Sequence, residues 1–220
     1  ESLALGAGEV SPLEMTSAFA VFANHGVYVE PVSILKIEDN TGNVIEESSP
    51  MRREVLSEAT AFIMTSMLEG VVNEGTVGRV LNYFHLPAAG KTGTTQEFAD
   101  AWFIGYTPQI SAGVWVGFDN KSVHFTNWDG QGGRAAAPVW GRFMKYVYDD
   151  PDIAMPLEYF EKPATVFEET ICEQTKKLAT EFCPHKMTEY FTEKTLPGRC
   201  PIHTTSRWLD GEENRGTISF

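Results

Sequence analysis

The sequence predicts an α+β fold, helices packed on an antiparallel sheet, with a small cysteine-containing extension at its end. Three observations predict it. Residues 11–25, 57–72 and 135–148 repeat apolar side chains at helical spacing. Residues 27–46 and 88–119 offer short β-rich runs divided by turn chemistry. All three cysteines follow residue 170, beyond an acidic, proline-punctuated stretch. With 42% apolar residues in 220, the chain can bury a core, which excludes wholesale disorder.

The first helix opens at Ser11-Pro12-Leu13-Glu14. Ser11 is a good N-cap, Pro12 suits the first helical position, and Glu14 can reach back to close a capping box. Met15, Ala18, Phe19 and Phe22 mark its buried face, and Gly26 ends it. Residues 27–38 are β-rich, and Val44-Ile45-Glu46 resumes after Asp39-Asn40-Thr41-Gly42-Asn43. That cluster supplies residues tolerant of positive φ, so a β-hairpin is predicted. A second helix spans 57–72, with Phe62, Ile63, Met67 and Leu68 at helical spacing. Three strands follow, 89–95, 99–106 and 111–118, the last two joined by Thr107-Pro108-Gln109 as an antiparallel hairpin. Residues 120–133 form a polar, glycine-rich loop. A third helix covers 135–148, with Pro138 in its first turn and Val139, Phe143 and Val147 on one face. This gives a main domain over 1–148, an acidic linker over 149–165, and an extension with a polar tail over 166–220.

Net charge narrows the function. Seventeen basic against thirty acidic residues leave −13, which argues against gripping nucleic-acid phosphates or anionic lipid. No apolar run approaches the roughly 20 residues that cross a bilayer, and no signal-peptide pattern opens the chain. The first residue is Glu1 rather than a methionine, so either something has been removed or the chain is expected to be a piece of a larger protein.

The sharpest motif is Lys91-Thr92-Gly93-Thr94-Thr95, preceded by Gly90. Gly90-Lys91-Thr92 matches the end of a phosphate-binding loop, but that loop needs a glycine where His85 stands, and a helix at once. Gly93-Thr94-Thr95 are poor helix formers, so the phosphate reading fails. The other reading is the K-T-G signature of penicillin-binding proteins and serine β-lactamases. Taken alone, the tripeptide favours an ordinary strand bearing an exposed lysine.

The surroundings decide. Asp100-Ala101-Trp102-Phe103-Ile104-Gly105-Tyr106-Thr107-Pro108 and Val114-Trp115-Val116-Gly117-Phe118-Asp119 follow the motif. Met67-Leu68-Glu69-Gly70-Val71-Val72 and Gly75-Thr76 precede it, and Ala136-Ala137-Pro138-Val139-Trp140 stands downstream. In this order and spacing the set resembles the transpeptidase domain of class A penicillin-binding proteins, the bifunctional peptidoglycan synthases, from about Leu3 to Tyr148. The resemblance implies that the K-T-G strand lies at a sheet edge, where an extended stem peptide adds like another strand. It implies that Lys91 brings positive charge to the nucleophile, and that Thr92 and Thr94 hold the terminal carboxylate of a D-alanyl-D-alanine peptide. Gly93 would clear the wall, Thr95 would continue it, and the Thr94 N–H would serve an oxyanion hole. Strict alternation sends Thr92 and Thr94 to the face opposite Lys91, so their shared use requires the site to meet the strand edge-on. Peptidoglycan stem peptides and β-lactam antibiotics would be the ligands, and no cofactor is implied.

Two family motifs are not found. Ser33-Ile34-Leu35-Lys36 fits S-x-x-K literally, but it follows Pro31 in a β-rich segment, where positions i and i+3 point to opposite faces. No S-x-N lies between it and Lys91. The chain is therefore expected to be the C-terminal half of a transpeptidase domain, partnered by the upstream half of the same domain and not acylated by penicillin on its own. A glycosyltransferase domain and a membrane anchor would lie further upstream, on the extracytoplasmic side of the inner membrane.

Cys172, Cys183-Pro184-His185 and Cys200-Pro201-Ile202-His203 invite a zinc reading, but C-x-H and C-x-x-H match no common structural site. The extracytoplasmic location implied by resemblance favours a disulfide instead, with Cys183–Cys200 chosen among three pairings and no metal expected. His25 and His85 read as structural or solvent-facing. His124 and Trp128 either border the groove or sit in a surface loop, and Trp102 and Trp115 read as core. Two alternatives remain: a serine β-lactamase or D,D-carboxypeptidase on the same scaffold, and a non-catalytic module that binds peptidoglycan or a partner protein.

Overall fold

The structure, a computed structural model, describes residues 8–75, 77, 80–120 and 122–205. Leu3, Thr76 and the expected tail after 205 lie outside the described residues. Two compact units are present, Glu1–Glu161 and Lys162–Phe220.

In the first unit, helix α1 (Pro12–Ala23) starts as predicted. The Ser11 hydroxyl accepts from the Glu14 N–H at 3.3 Å, and the Glu14 carboxylate accepts from the Ser11 N–H at 2.8 Å. Gly26 ends the turn at φ +91°, where a Cβ would stand 2.2 Å from the Leu56 carbonyl oxygen. Only glycine satisfies both demands. Strand β1 (Val27–Val29) then pairs not with its neighbour but with β4 (Arg52–Glu54), antiparallel. Strands β2 (Lys36–Glu38) and β3 (Val44–Glu47) form the predicted hairpin between them. Asp39 organises its turn, accepting from the Thr41 and Asn43 backbone N–H groups and from both side chains.

Helix α2 (Glu58–Asn73) is capped by the Ser57 hydroxyl and buries Ala61, Phe62, Thr65, Leu68 and Val72. Ile63 and Met67 lie off this face, Met67 being 62% exposed. The central sheet has strands β5 (Ala89–Thr94), β6 (Asp100–Tyr106) and β7 (Ser111–Gly117) in the order 5-6-7, all antiparallel. Thr65 and Tyr106 share a buried hydroxyl–hydroxyl hydrogen bond of 2.9 Å, which ties α2 to β6.

A short helix α3 (Gly132–Ala135) leads into α4 (Ala137–Asp149). The buried face of α4 is Ala137, Trp140, Gly141 and Met144, whereas the predicted Val139 and Phe143 are half exposed. Trp140 decides the rotation. Its ring packs edge-on to Phe103 and Phe84, and its indole N–H is shared between the Gly105 and Ala112 carbonyls at 3.2 and 3.1 Å. No other α4 side chain brings that much area together with a donor that needs a partner.

In the second unit, β8 (Phe167–Cys172) and β9 (Lys186–Phe191) form an antiparallel hairpin. Leu178 bridges to Ile171 and to Arg199, drawing residues 172–183 and 192–200 over it.

Candidate active site

All five motif residues lie on or just past β5, an edge strand: β6 covers one side, and among the described residues no strand covers the other. The Thr95 N–H donates inward to the Asp100 carbonyl at 3.0 Å. Backbone groups of an antiparallel edge strand alternate inward and outward, so the Thr94 N–H and the Thr92 carbonyl face the open edge. Ala89, on the Lys91 face, packs on Leu68 of α2. Lys91 nevertheless reaches the same edge, its ammonium donating to the Thr92 carbonyl at 3.0 Å. Lysine, a threonine carbonyl and a threonine N–H thus meet along one line, although the side chains alternate between two faces.

Thr94 also has a partner within the chain. Its hydroxyl accepts from the Gly132 N–H at 3.0 Å, so it anchors α3 to the strand. Gly132 fits there because a Cβ would stand 2.3 Å from the Trp102 carbonyl oxygen and 2.5 Å from that of Gly93. Gly93 is itself close to Trp102, whose Cβ lies 3.2 Å from where a Gly93 Cβ would be.

The far end of β5 is clasped by Asp100. Its N–H donates to the Thr95 hydroxyl at 2.8 Å, and its carboxylate accepts from the same hydroxyl and from the Trp115 indole N–H at 2.9 Å. This fixes a turn in which Glu97 and Phe98 both hold positive φ, 58° and 57°. Such backbone is costly for residues with side chains and persists only where the surroundings enforce it. The loop after β7 lies against that turn: Phe98 contacts Trp128 at 6.0 Å between centroids, and its carbonyl accepts from the Phe125 N–H. His124 and Trp128 therefore belong to a layer over the end of β5, with Trp128 64% exposed. Trp102 is half-buried and Trp115 is 36% exposed; they pair with each other beside the strand rather than fill the core. His25 lies 3.3 Å from the Glu58 carboxylate.

Ser33 lies in a bend outside any helix, and the Lys36 ammonium pairs with Glu38 at 2.6 Å. The S-x-x-K match thus has no helical geometry.

The expected Cys183–Cys200 disulfide is not formed in the structure, where Cys172, Cys183 and Cys200 are all buried free cysteines. All three converge with His203, not His185, their ligand atoms within 4.8 Å of one another, so no pair of sulfurs is singled out. Burial opposes ionisation of Cys200, but hydrogen bonds from the Thr175 side chain, the His203 and Ile202 backbone and the His203 ring outweigh it and bring the thiol down to about 6. The same balance lowers Cys172, whereas burial pushes Cys183 up. The Thr175 hydroxyl is buried without a partner at full hydrogen-bond geometry, so its influence on the sulfurs is that of a nearby dipole. Of the two histidines that the sequence sets beside cysteines, the structure brings His203, at C-x-x-H spacing from Cys200, to the three sulfurs.

Comparison with known proteins is consistent across sequence and structure. The family model of the penicillin binding protein transpeptidase domain matches residues 1–145, and that of the penicillin-binding protein 1A C-terminal domain matches 162–204. The chain is 44% identical to a penicillin-binding protein 1A of Aquifex aeolicus over 71% of its own length and 22% of the relative's. It is 36% identical to one of Clostridium botulinum over 85% of its length, again 22% of the relative's. The chain thus spans about a fifth of the length of these curated relatives. Among solved structures, penicillin-binding protein 1A from Haemophilus influenzae is similar with a TM-score of 0.81 at 28% identity, covering 91% of this chain and 35% of that one. Penicillin-binding protein 3 from Mycobacterium tuberculosis, complexed with aztreonam, gives 0.54 at 27% identity, covering 71% and 38%. The α+β fold with its antiparallel sheets is the fold of these neighbours, and the chain belongs to the penicillin-binding protein family, through a transpeptidase domain over residues 1–145.

Proposed function

We propose that residues 1–148 form one wall of the active site of a serine peptidoglycan D,D-transpeptidase. The observation that supports this best is the open edge of β5, where the Lys91 ammonium, the Thr92 carbonyl and the Thr94 N–H face outward together. An extended stem peptide adds to such an edge through main-chain hydrogen bonds. The Thr94 N–H then stands ready to stabilise the oxyanion formed when a serine attacks the D-alanyl-D-alanine carbonyl. Lys91 lowers the energy of negative charge at that centre. The serine ester forms with release of D-alanine, and the amine of a neighbouring stem peptide resolves it into a cross-link. β-Lactams enter the same site as acylating analogues.

The nucleophile belongs to residues outside this chain. Ser33-Lys36 is the single S-x-x-K match in 220 residues and lies beyond any helix. The reading of a peptidoglycan substrate in the cell envelope rests on the family.

Mass spectrometry after incubation with a fluorescent penicillin tests both parts. The 220-residue chain should take up no adduct. The same sequence extended upstream to include a helical S-x-x-K should be acylated, and Lys91→Ala in that protein should slow acylation by about 10²-fold or more. An adduct on the isolated chain, or an unchanged rate in Lys91→Ala, overturns the reading.

A further inference from the structure

We propose that Cys172, Cys183, Cys200 and His203 hold a zinc ion in a closed tetrahedral site that organises the C-terminal unit. The inference is independent of the transpeptidase reading.

Geometry carries it. Three sulfurs and one imidazole nitrogen all lie within 4.8 Å of one another. His203 Nδ1 stands 3.3 Å from Cys172 Sγ and 3.4 Å from Cys200 Sγ. With zinc–sulfur bonds of about 2.3 Å and zinc–nitrogen bonds of about 2.0 Å, a tetrahedral ion sets its ligands roughly 3.5–3.8 Å apart. The four side chains therefore need no rearrangement of the backbone to meet one ion.

One sulfur also has a backbone donor: the Thr180 N–H donates to Cys183 Sγ at 3.3 Å, as suits a metal-bound thiolate. The Thr180 hydroxyl bonds to the His203 carbonyl, tying the Cys183 segment to the His203 turn as an outer-layer support.

Burial and size supply the third argument. Cys172, Cys183, Cys200 and His203 are 1, 3, 2 and 1% exposed. No position is left for a labile water, so the site is structural rather than catalytic. Among the described residues Ala179 packs on them, and Val166 and Ile171 are the other buried apolar side chains of the unit. A unit this small needs a staple beyond such a core. A disulfide would join two sulfurs and leave a third thiol and an imidazole buried against it. An ion uses all four. Soft thiolates select zinc over magnesium, calcium or manganese, and each thiol that coordinates releases its proton to solvent.

The test uses the whole chain purified without added metal. Elemental analysis should find one zinc per chain, and thiol titration should count three cysteines only after chelation under denaturing conditions. Cobalt exchanged for the zinc should show the intense visible bands of a tetrahedral thiolate site. Cys172→Ser should lose the bound metal while Cys183 and Cys200 both still titrate as thiols. One thiol and no zinc in the wild-type chain would mean a disulfide and overturn the proposal. So would zinc that washes out on buffer exchange, or that Cys172→Ser retains at full occupancy. Because the wild-type measurements need no variant, a Cys172→Ser chain that fails to fold leaves the proposal decided by them.

Discussion

At Gly132 a single hydrogen atom in place of a methyl group holds two elements together. A Cβ there would meet the Trp102 and Gly93 carbonyl oxygens at 2.3 and 2.5 Å, and backbone atoms in a paired ladder cannot move aside cheaply. Gly132→Ala should therefore cost about 2–3 kcal/mol in a urea melt, as overpacking does elsewhere, and should shift α3 away from the Thr94 hydroxyl. Gly70 is the internal control. It lies inside α2 with nothing within 4 Å of its missing Cβ, so Gly70→Ala should stabilise by about 0.5–1 kcal/mol through lower chain entropy. Equal effects at the two sites would refute this account of the β5–α3 junction. Neither outcome could be read from the sequence, because a glycine in a polar loop and a glycine in a helix give no sign of what surrounds them.

Elements differ in how far their causes are local, and legibility follows that difference. The capping box of α1, the 39–43 turn and the strands around Thr107 depend on residues a few positions apart, and all three were readable. The β1–β4 pairing was not, because it joins Val27 to Glu54 across the whole hairpin. The apolar pattern of α4 misled for another reason: Val139 and Phe143 have helical spacing, but Trp140 takes the core position. The metal ligands come from three separate segments, brought together by the β8–β9 hairpin and the Leu178 bridges, so their spacing fits no compact pattern. At this scale the 39–43 turn makes a pH prediction. Hydrogen bonds from Thr41 and Asn43 hold Asp39 well below the ordinary carboxylate value of 3.8. A group whose folded pKa is depressed contributes stability above its unfolded pKa and loses it as pH falls through the folded one. Amide protection at Thr41 and Asn43, measured against the intrinsic exchange rate at each pH, should thus hold at pH 5 and fall only as pH drops below about 4. Loss of protection already between pH 6 and 5 would show that Asp39 is not the organiser.

On the scale of the whole molecule, the two units rest on different physics. The first, Glu1–Glu161, buries Val72, Val77, Phe84, Phe103, Trp140 and Met144 in one cluster. Such a core draws on area removed from water, at about 25 cal/mol per Å², and is indifferent to metal. The second, Lys162–Phe220, gathers three sulfurs and a buried imidazole with few buried apolar side chains, Val166 and Ile171 among the described residues; metal-binding free energy there is folding free energy. A strong chelator should accordingly separate them. Hydrogen exchange should report loss of amide protection throughout β8 and β9, by 10²-fold or more if the ion supplies roughly 3 kcal/mol or more of the local stability. Protection along β5, β6 and β7 should be unchanged in the same sample, and readdition of zinc should restore β8 and β9. A hairpin that stays protected after the metal is removed would mean that the small unit stands on its hydrogen bonds and packing alone. Parallel loss in β6 would mean instead that the sheet carrying Lys91 and Thr94 depends on the cysteine unit for its own stability.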